Sequence, residues 1–226
     1  GSEMRIRDRL HNLELPYQAV TSTDLYLTHY LNDSANDPVM NRIRAQKLRN
    51  SEEDKVKIFF VPSYLNGDDG VFNMPYYDLL VGMDLTAFPS YYEPWGYTPL
   101  ESLAFKVPTI TTTLAGFGLW VKEHYNMNHP GIEVIHREDG DASNVATAIA
   151  EWVKNYTQVG ETEMQKDRDN AKDVSRIALW DNLINYYKQA YTIALNQVSE
   201  RLKDLPANMN ESVSYIEKQL TVNNPS

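Results

Sequence analysis

Cysteine is absent from this 226-residue chain, which excludes disulfide bridges, zinc–thiolate sites, iron–sulfur clusters and a cysteine nucleophile. Long apolar runs are absent too: the longest extend over about five to seven residues, too few to span a bilayer, and no signal-peptide pattern precedes them. Positive charge is scarce, because 21 lysines and arginines stand against 31 acids and leave a net charge of −10. That balance argues against a nucleic-acid or anionic-membrane surface. We therefore expect a cytoplasmic protein that binds neither nucleic acid nor membrane.

Short β-rich runs recur along the chain at intervals of roughly 22 to 29 residues, the length of a strand plus one crossover helix. The predicted strands are 56–61, 84–88, 108–112 and 131–135, with weaker candidates at 19–21 and 25–27. Because parallel strands require such crossovers, the pattern predicts an α/β fold with a Rossmann-like parallel sheet.

Helix signals separate these strands and dominate the last third of the chain. Asp37 and Pro38 suit the cap and first residue of one helix. Further helices are predicted at 76–83, 100–106 and from Ala142, then as one long helical region over 161–205. The predicted domains are a tag remnant and leading helical segment (1–16), a partial Rossmann-like domain (17–160), the long helices (161–205) and a polar tail (206–226), in which 213–220 is weakly helical.

A loop rich in aromatic residues, PSYYEPWGYTPLE at 89–101, follows the second strong strand. Thr98 suits a helix N-cap, Pro99 the first helical position, and Glu101 the third, which together predict a capping box. The free amides of Gly96, Tyr97 and Thr98 would then point away from the helix with its positive dipole end, an arrangement that accepts phosphate. Ligands bind at the carboxyl ends of strands in such sheets, so this loop is the candidate site.

Two acids, Glu93 and Glu101, lie on either side of the predicted helix start, with seven residues between them. A carboxylate accepts hydrogen bonds from paired hydroxyls of a ribose or hexose. Trp95, Tyr91 and Tyr92 add flat surfaces on which sugars and bases stack.

The run FPSYYEPWGYTPLE at 88–101 closely resembles the donor-site motif of the eukaryotic-type glycogen synthases, glycosyltransferase family 3. Its E-x7-E spacing is shared by many retaining glycosyltransferases with two Rossmann domains, the GT-B architecture. The resemblance extends over roughly 28–195 through four further segments: Thr-His-Tyr-Leu-Asn at 28–32 with Asp37-Pro38, the strand from Lys55 to Pro62, the threonine–glycine loop 112–118, and Trp180 with Tyr186-Tyr187.

The resemblance implies a role for each candidate residue. Glu93 would be the catalytic residue beside the donor glucose, Glu101 would bind the ribose hydroxyls, and Tyr76 would stack on the base. Trp95, Gly96, Tyr97 and Thr98 would complete the donor site. The implied activity is the retaining transfer of glucose from UDP-glucose or ADP-glucose to an α-1,4-glucan, with no cofactor and no metal ion, in a protein that could be a homo-oligomer.

Two segments depart from the family pattern. No Gly-Arg…Asn-Lys-Gly stretch supplies cations for the leaving phosphates, so we expect the chain to begin after that unit, to bind donor weakly and to lack synthase activity by itself. Acids replace most of the arginines in the segment 167–176, where animal and fungal members sense glucose 6-phosphate. We therefore expect no activation by glucose 6-phosphate.

Structural interpretations remain open for several of these residues. Glu101 could serve only as a helix cap, and Trp95 and Tyr76 could be packing residues. The protein could also be a non-catalytic glucan- or nucleotide-binding module that retains the motif without turnover. A nicotinamide-dependent enzyme is disfavoured, because no G-x-G-x-x-G follows a strand and opens a helix.

Overall fold

The computed structural model describes residues 26–125 and 131–203, together with Ser214 and Lys218. The chain divides into two compact units, Gly1–Val174 and Ser175–Ser226. The predicted strand 19–21 lies outside the described residues, as does nearly all of the tail 206–226 with its weak helix.

A three-stranded parallel sheet forms the centre of the first unit. Its strands are β1 Thr86–Ala87, β2 Thr109–Thr112 and β3 Ile132–Ile135, and they lie in the order β1-β2-β3. Thr86 is opposite Thr109, and Thr109 is opposite Ile132, so the three strands begin in register. The prediction of an α/β fold with a Rossmann-like parallel sheet and crossover helices is confirmed.

Helices connect the strands and continue beyond the sheet. They are α1 Pro38–Ala45, α2 Tyr76–Leu80, α3 Tyr97–Ala104, α4 Gly116–His124, α5 Ala142–Tyr156, α6 Glu161–Arg176, α7 Trp180–Asn196 and α8 Val198–Lys203. The predicted start of α1 is confirmed, because Asp37 Oδ1 accepts a hydrogen bond of 2.8 Å from the backbone amide of Met40.

Helices cover both faces of the sheet, as the alternation of side chains along β2 requires. Ile110 packs with Ile135 and with Val145 of α5. On the opposite face, the hydroxyl of Thr109 lies 3.0 Å from that of Ser102 in α3, and Gly118 of α4 packs against Thr111. Burying Ile110 completely contributes on the order of 1.5–3 kcal/mol to stability.

The strand predicted at 56–61 is wrong, and a single side chain explains the difference. The amide group of Asn50 donates to the carbonyl of Ile58 at 2.7 Å and accepts from its backbone N–H at 2.9 Å. These bonds occupy the backbone groups that a neighbouring strand would use. In the part of the chain that the structure describes, one parallel bridge, between Leu27 and Phe60, remains in this region.

The single helical region predicted over 161–205 is interrupted in the structure. Leu179 is extended, and the side chain of Asn182 donates at 2.9 Å to the carbonyl of Arg176, the last residue of α6. This bond satisfies a carbonyl that has no partner within the helix. The aromatic side chains of α7, including Trp180 and Tyr187, are largely exposed, and α7 contains no buried residue.

Candidate functional site

Three loops meet at the carboxyl edge of the sheet, each following one strand. Thr112 Oγ1, at the end of β2, donates a hydrogen bond of 2.9 Å to the carbonyl of Ser90 in the loop after β1. The backbone amide of Arg137, just after β3, donates to Thr113 Oγ1 at 2.9 Å. Hydrogen bonds between neighbouring loops therefore hold together the edge at which α/β proteins bind ligands.

Glu93 lies in the loop after β1 and is tied to the loop after β2. Its backbone N–H donates to the carbonyl of Leu114 at 3.1 Å, and its carbonyl accepts from Gly116 N at 3.0 Å, which gives a parallel bridge to Ala115. Ser90 Oγ donates to Glu93 Oε2 at 3.0 Å. The backbone of Glu93 is thus fixed, and one oxygen of its partly exposed carboxylate is oriented.

The helix after this loop begins two residues earlier than a Thr98 cap would place it, so the predicted capping box is wrong. Gly96 is the N-cap, with a left-handed φ of 105°, and no side chain caps the helix. Thr98 is therefore the second helical residue and Glu101 the fifth. Gly96 suits this position because glycine adopts positive φ without a steric penalty.

Gly96 also brings the helix start close to Glu93. A Cβ atom added at Gly96 would lie 3.4 Å from Glu93 Oε2. The amides of the first turn have no partner within the helix, and they carry the positive end of the helix dipole. Tyr97 is 68% exposed and Thr98 is exposed as well, so this end of α3 is open to a ligand.

Glu101 lies about 7.5 Å along the helix axis from Gly96, at 1.5 Å per residue. It contacts α2 rather than the helix start. The phenol of Tyr77 donates a hydrogen bond to its carboxylate, and this bond raises the pKa of Tyr77. Burial raises the pKa of Tyr76, and the charge of Glu101 raises it further. The structure thus brings Tyr76 and Glu101 together, as members of a cluster distinct from the contacts of Glu93.

Trp95 packs against the start of α4. Its ring centroid lies 5.7 Å from that of Phe117 and 6.0 Å from that of Trp120. Its carbonyl accepts a hydrogen bond of 2.6 Å from Phe117 N. These contacts favour a packing role for most of the ring, while a role in donor binding stays a prediction for its exposed part.

Gly116 allows the loop of Glu93 to approach α4. A Cβ atom at Gly116 would lie only 2.1 Å from the carbonyl oxygen of Pro94. No other residue type leaves room for that carbonyl. The glycine is therefore required by close backbone contact rather than by a turn.

Two neighbours of the site, Tyr77 and Arg137, were missed by the sequence analysis. A Tyr-Tyr pair at the start of a helix does not indicate which ring turns toward a neighbouring helix. Arg137 could have been found, because it follows the predicted strand 131–135 by two residues and so lies at the same sheet edge as the motif.

Metal and membrane features were also sought in the described part of the chain. There, no cluster of three or more histidine, aspartate or glutamate side chains is placed to hold a metal ion. No helix among the described residues is long and apolar enough to cross a membrane.

The fold and the site together define an α/β protein of the Rossmann-like class, with its candidate site at the carboxyl edge of a parallel sheet. The sequence model of the glycogen synthase family matches residues 16–225. The chain therefore belongs to the glycogen synthase family, for which the GT-B architecture is implied.

Curated relatives agree with this membership. The chain is 30% identical over 220 residues to glycogen [starch] synthase isoform 1 of Saccharomyces cerevisiae, covering 93% of this chain and 31% of that protein. It is 33% identical over 172 residues to the Neurospora crassa glycogen [starch] synthase, covering 76% and 24%, and 34% identical over 167 residues to that of Caenorhabditis elegans, covering 73% and 25%. The chain thus spans about a quarter to a third of the length of these relatives.

Proposed function

We propose that this chain forms the donor-binding part of a retaining glucosyltransferase, which moves glucose from UDP-glucose or ADP-glucose to an α-1,4-glucan. Membership of the glycogen synthase family supports the reaction. The observation that carries the site assignment is the Glu93 carboxylate, held by Ser90 beside an open helix start whose amides have no helical partner.

In this proposal Glu93 is the catalytic residue and lies beside the donor glucose. Its carboxylate accepts hydrogen bonds from sugar hydroxyls and stabilises positive charge that develops on the sugar during transfer. The amides of Gly96, Tyr97 and Thr98 receive the diphosphate, because a helix N-terminus stabilises negative charge. The exposed part of Trp95 contacts the donor.

The nucleoside binds one turn further along α3. Glu101 accepts hydrogen bonds from the ribose hydroxyls, and Tyr76 stacks on the base. The contact between Glu101 and Tyr77 supports this assignment, because it demonstrates that the carboxylate is within reach of hydroxyl donors from the side of α2. No cofactor or metal ion is included, and the protein is cytoplasmic.

Glucose transfer by the full-length protein encoded by the same gene tests this proposal. Radiolabelled UDP-glucose and ADP-glucose are compared with glycogen as acceptor. Glu93→Ala should abolish most of the transfer, whereas Glu123→Ala, which removes an exposed acid of α4, should retain it. Full activity of the Glu93→Ala variant would contradict the assignment of the catalytic residue.

The alternative, a non-catalytic glucan- or nucleotide-binding module, gives a different result when binding is measured beside transfer. It predicts donor or glucan binding by calorimetry with no transfer to glycogen under any donor. Loss of donor binding in Glu101→Gln would still locate the binding site on α3.

A further inference from the structure

Arg137 is a buried arginine at the carboxyl edge of the sheet, two residues after β3. Only 6% of its surface is exposed. Its Nη1 donates to the carbonyl of Pro89 at 2.6 Å and to that of Ser90 at 3.4 Å. Its guanidinium carbon lies 3.6 Å above the ring centroid of Tyr91. One side chain therefore holds three consecutive residues of the loop that leads to Glu93.

Ion pairing does not explain the burial of this charge. Within residues 26–125 and 131–203, no carboxylate pairs with Arg137, and its buried Nε has no hydrogen-bond partner. A buried charge without a counter-charge costs free energy. The backbone of Arg137 bonds to Thr113, but the contacts of its side chain are all with the loop after β1. The effect of the side chain on that loop is therefore the best account of its position.

Ser90 connects this arginine to the carboxylate of Glu93. The carbonyl of Ser90 accepts hydrogen bonds from Thr112 Oγ1 at 2.9 Å and from Arg137. The hydroxyl of the same residue donates to Glu93 Oε2 at 3.0 Å. The ends of β2 and β3 thus fix the backbone of Ser90, and Ser90 fixes one oxygen of Glu93.

We propose that Arg137 and Ser90 are positioning residues, which hold the Glu93 carboxylate in the orientation that glucose transfer requires. This inference rests on the proposed function of Glu93. Misplacement of a reacting group by about 1 Å can reduce a rate by about 100-fold, so loss of this support should reduce kcat more than donor affinity.

The test compares Ser90→Ala, Arg137→Met and Arg137→Lys in the full-length protein encoded by the same gene. We expect kcat for glucose transfer to fall about tenfold in Ser90→Ala and about 10- to 100-fold in Arg137→Met, with the donor KM changed by no more than about twofold. Arg137→Lys should restore part of kcat relative to Arg137→Met, because lysine retains the charge and a donor for the carbonyls but lacks the planar guanidinium that stacks on the ring of Tyr91.

Arg168→Met is the matched control. Arg168 donates to the carbonyls of Met83 at 2.9 Å and Lys106 at 3.3 Å, near the amino ends of β1 and β2. Its loss should lower the unfolding temperature without lowering kcat. If Ser90→Ala keeps full kcat, or if Arg168→Met lowers kcat as much as Arg137→Met, the positioning role is overturned.

A second measurement separates this inference from the proposed function. If the unmodified protein transfers no glucose, the proposed function fails. Crystal structures of the unmodified protein and of Ser90→Ala then test the positioning role without an activity measurement. We expect the Glu93 carboxylate to leave its place beside Gly96 in the variant. An unmoved carboxylate would overturn the inference. Ser90→Ala also serves if Arg137→Met does not fold, because it removes only one hydroxyl group, from a partly buried residue.

Discussion

Replacing Gly116 by alanine should displace the loop that carries Glu93. The new Cβ atom would lie 2.1 Å from the carbonyl oxygen of Pro94, a separation that must grow beyond 3.0 Å, which is a displacement of about 0.9 Å. The bond from Gly116 N to the carbonyl of Glu93 lies in the same contact and would be strained with it. Both changes act on the segment that leads from Glu93 to α3.

The expected cost is about 2 kcal/mol of stability, typical of an overpacked contact in which backbone has to move. For a domain of this size, that cost lowers the unfolding temperature by about 4–8 °C. Because the displaced segment carries Glu93, kcat for glucose transfer by the full-length protein should fall by about 100-fold.

Calorimetry and a glucose-transfer assay measure the two effects, and Gly160→Ala is the control. A Cβ atom at Gly160 meets nothing within 4 Å, and this glycine does not have a positive φ, so the control should be neutral. A Gly116→Ala variant with the stability and kcat of the unmodified protein would refute the claim that close backbone contact fixes Glu93.

Four further predictions follow from the sequence and the structure. Burial raises the pKa of Glu133, so this carboxyl binds a proton more tightly in the folded state than in the unfolded state. The folded state therefore loses stability as the pH rises through the raised pKa. Glu133→Gln should raise the unfolding temperature near pH 7 but not near pH 4, and the exposed Glu151→Gln is the control. Glucose 6-phosphate should not increase glucose transfer by the full-length protein, because Arg168 is already paired with Asp84 at 3.1 Å and Lys106 with Asp169 at 2.8 Å; a clear rate increase would contradict this. The 226-residue chain alone should bind UDP-glucose only weakly and transfer no glucose to glycogen, since it spans about a quarter to a third of the length of its relatives; measurable transfer would disprove it. The exposed rings of Trp180, Tyr187 and Tyr191 on α7 should promote self-association at high concentration, which analytical ultracentrifugation should detect and Trp180→Ser should weaken.

The parallel sheet was predictable from the sequence because the period of the β-rich runs matches the length of βα units. The runs at 84–88, 108–112 and 131–135 contain the observed strands. The motif loop was also placed correctly, because a loop that follows a parallel strand must emerge at the carboxyl edge.

The run at 56–61 is as apolar as the observed strands, yet it forms no strand. The side chain of Asn50 bonds both backbone groups of Ile58, a contact between residues eight positions apart that no periodicity reveals. The helix start was misplaced for a similar reason: Thr98 is a good cap by residue type, but the left-handed backbone of Gly96 ends the loop earlier.

The supporting contacts of the candidate site depend on tertiary structure, and this is why the motif alone did not reveal them. Ser90 belongs to the motif, but its bond to Glu93 and its contacts with Thr112 and Arg137 require the strand order of the sheet. Tyr77 approaches Glu101 only because α2 packs beside α3. The sequence indicates which residue types are present, but the order of the strands in the sheet determines which of them are in contact.

The bridge between Glu93 and Ala115 has a consequence for redesign of this protein. Since main-chain hydrogen bonds join the loop after β1 to the loop after β2, neither loop can be lengthened or shortened without changing the register of the other. Insertions between Phe88 and Glu93 should therefore be poorly tolerated, unlike those at most surface turns. Redesign of this loop would do better to exchange the side chains of Tyr92 and Tyr97, which are 82% and 68% exposed, and to leave the path of the backbone intact.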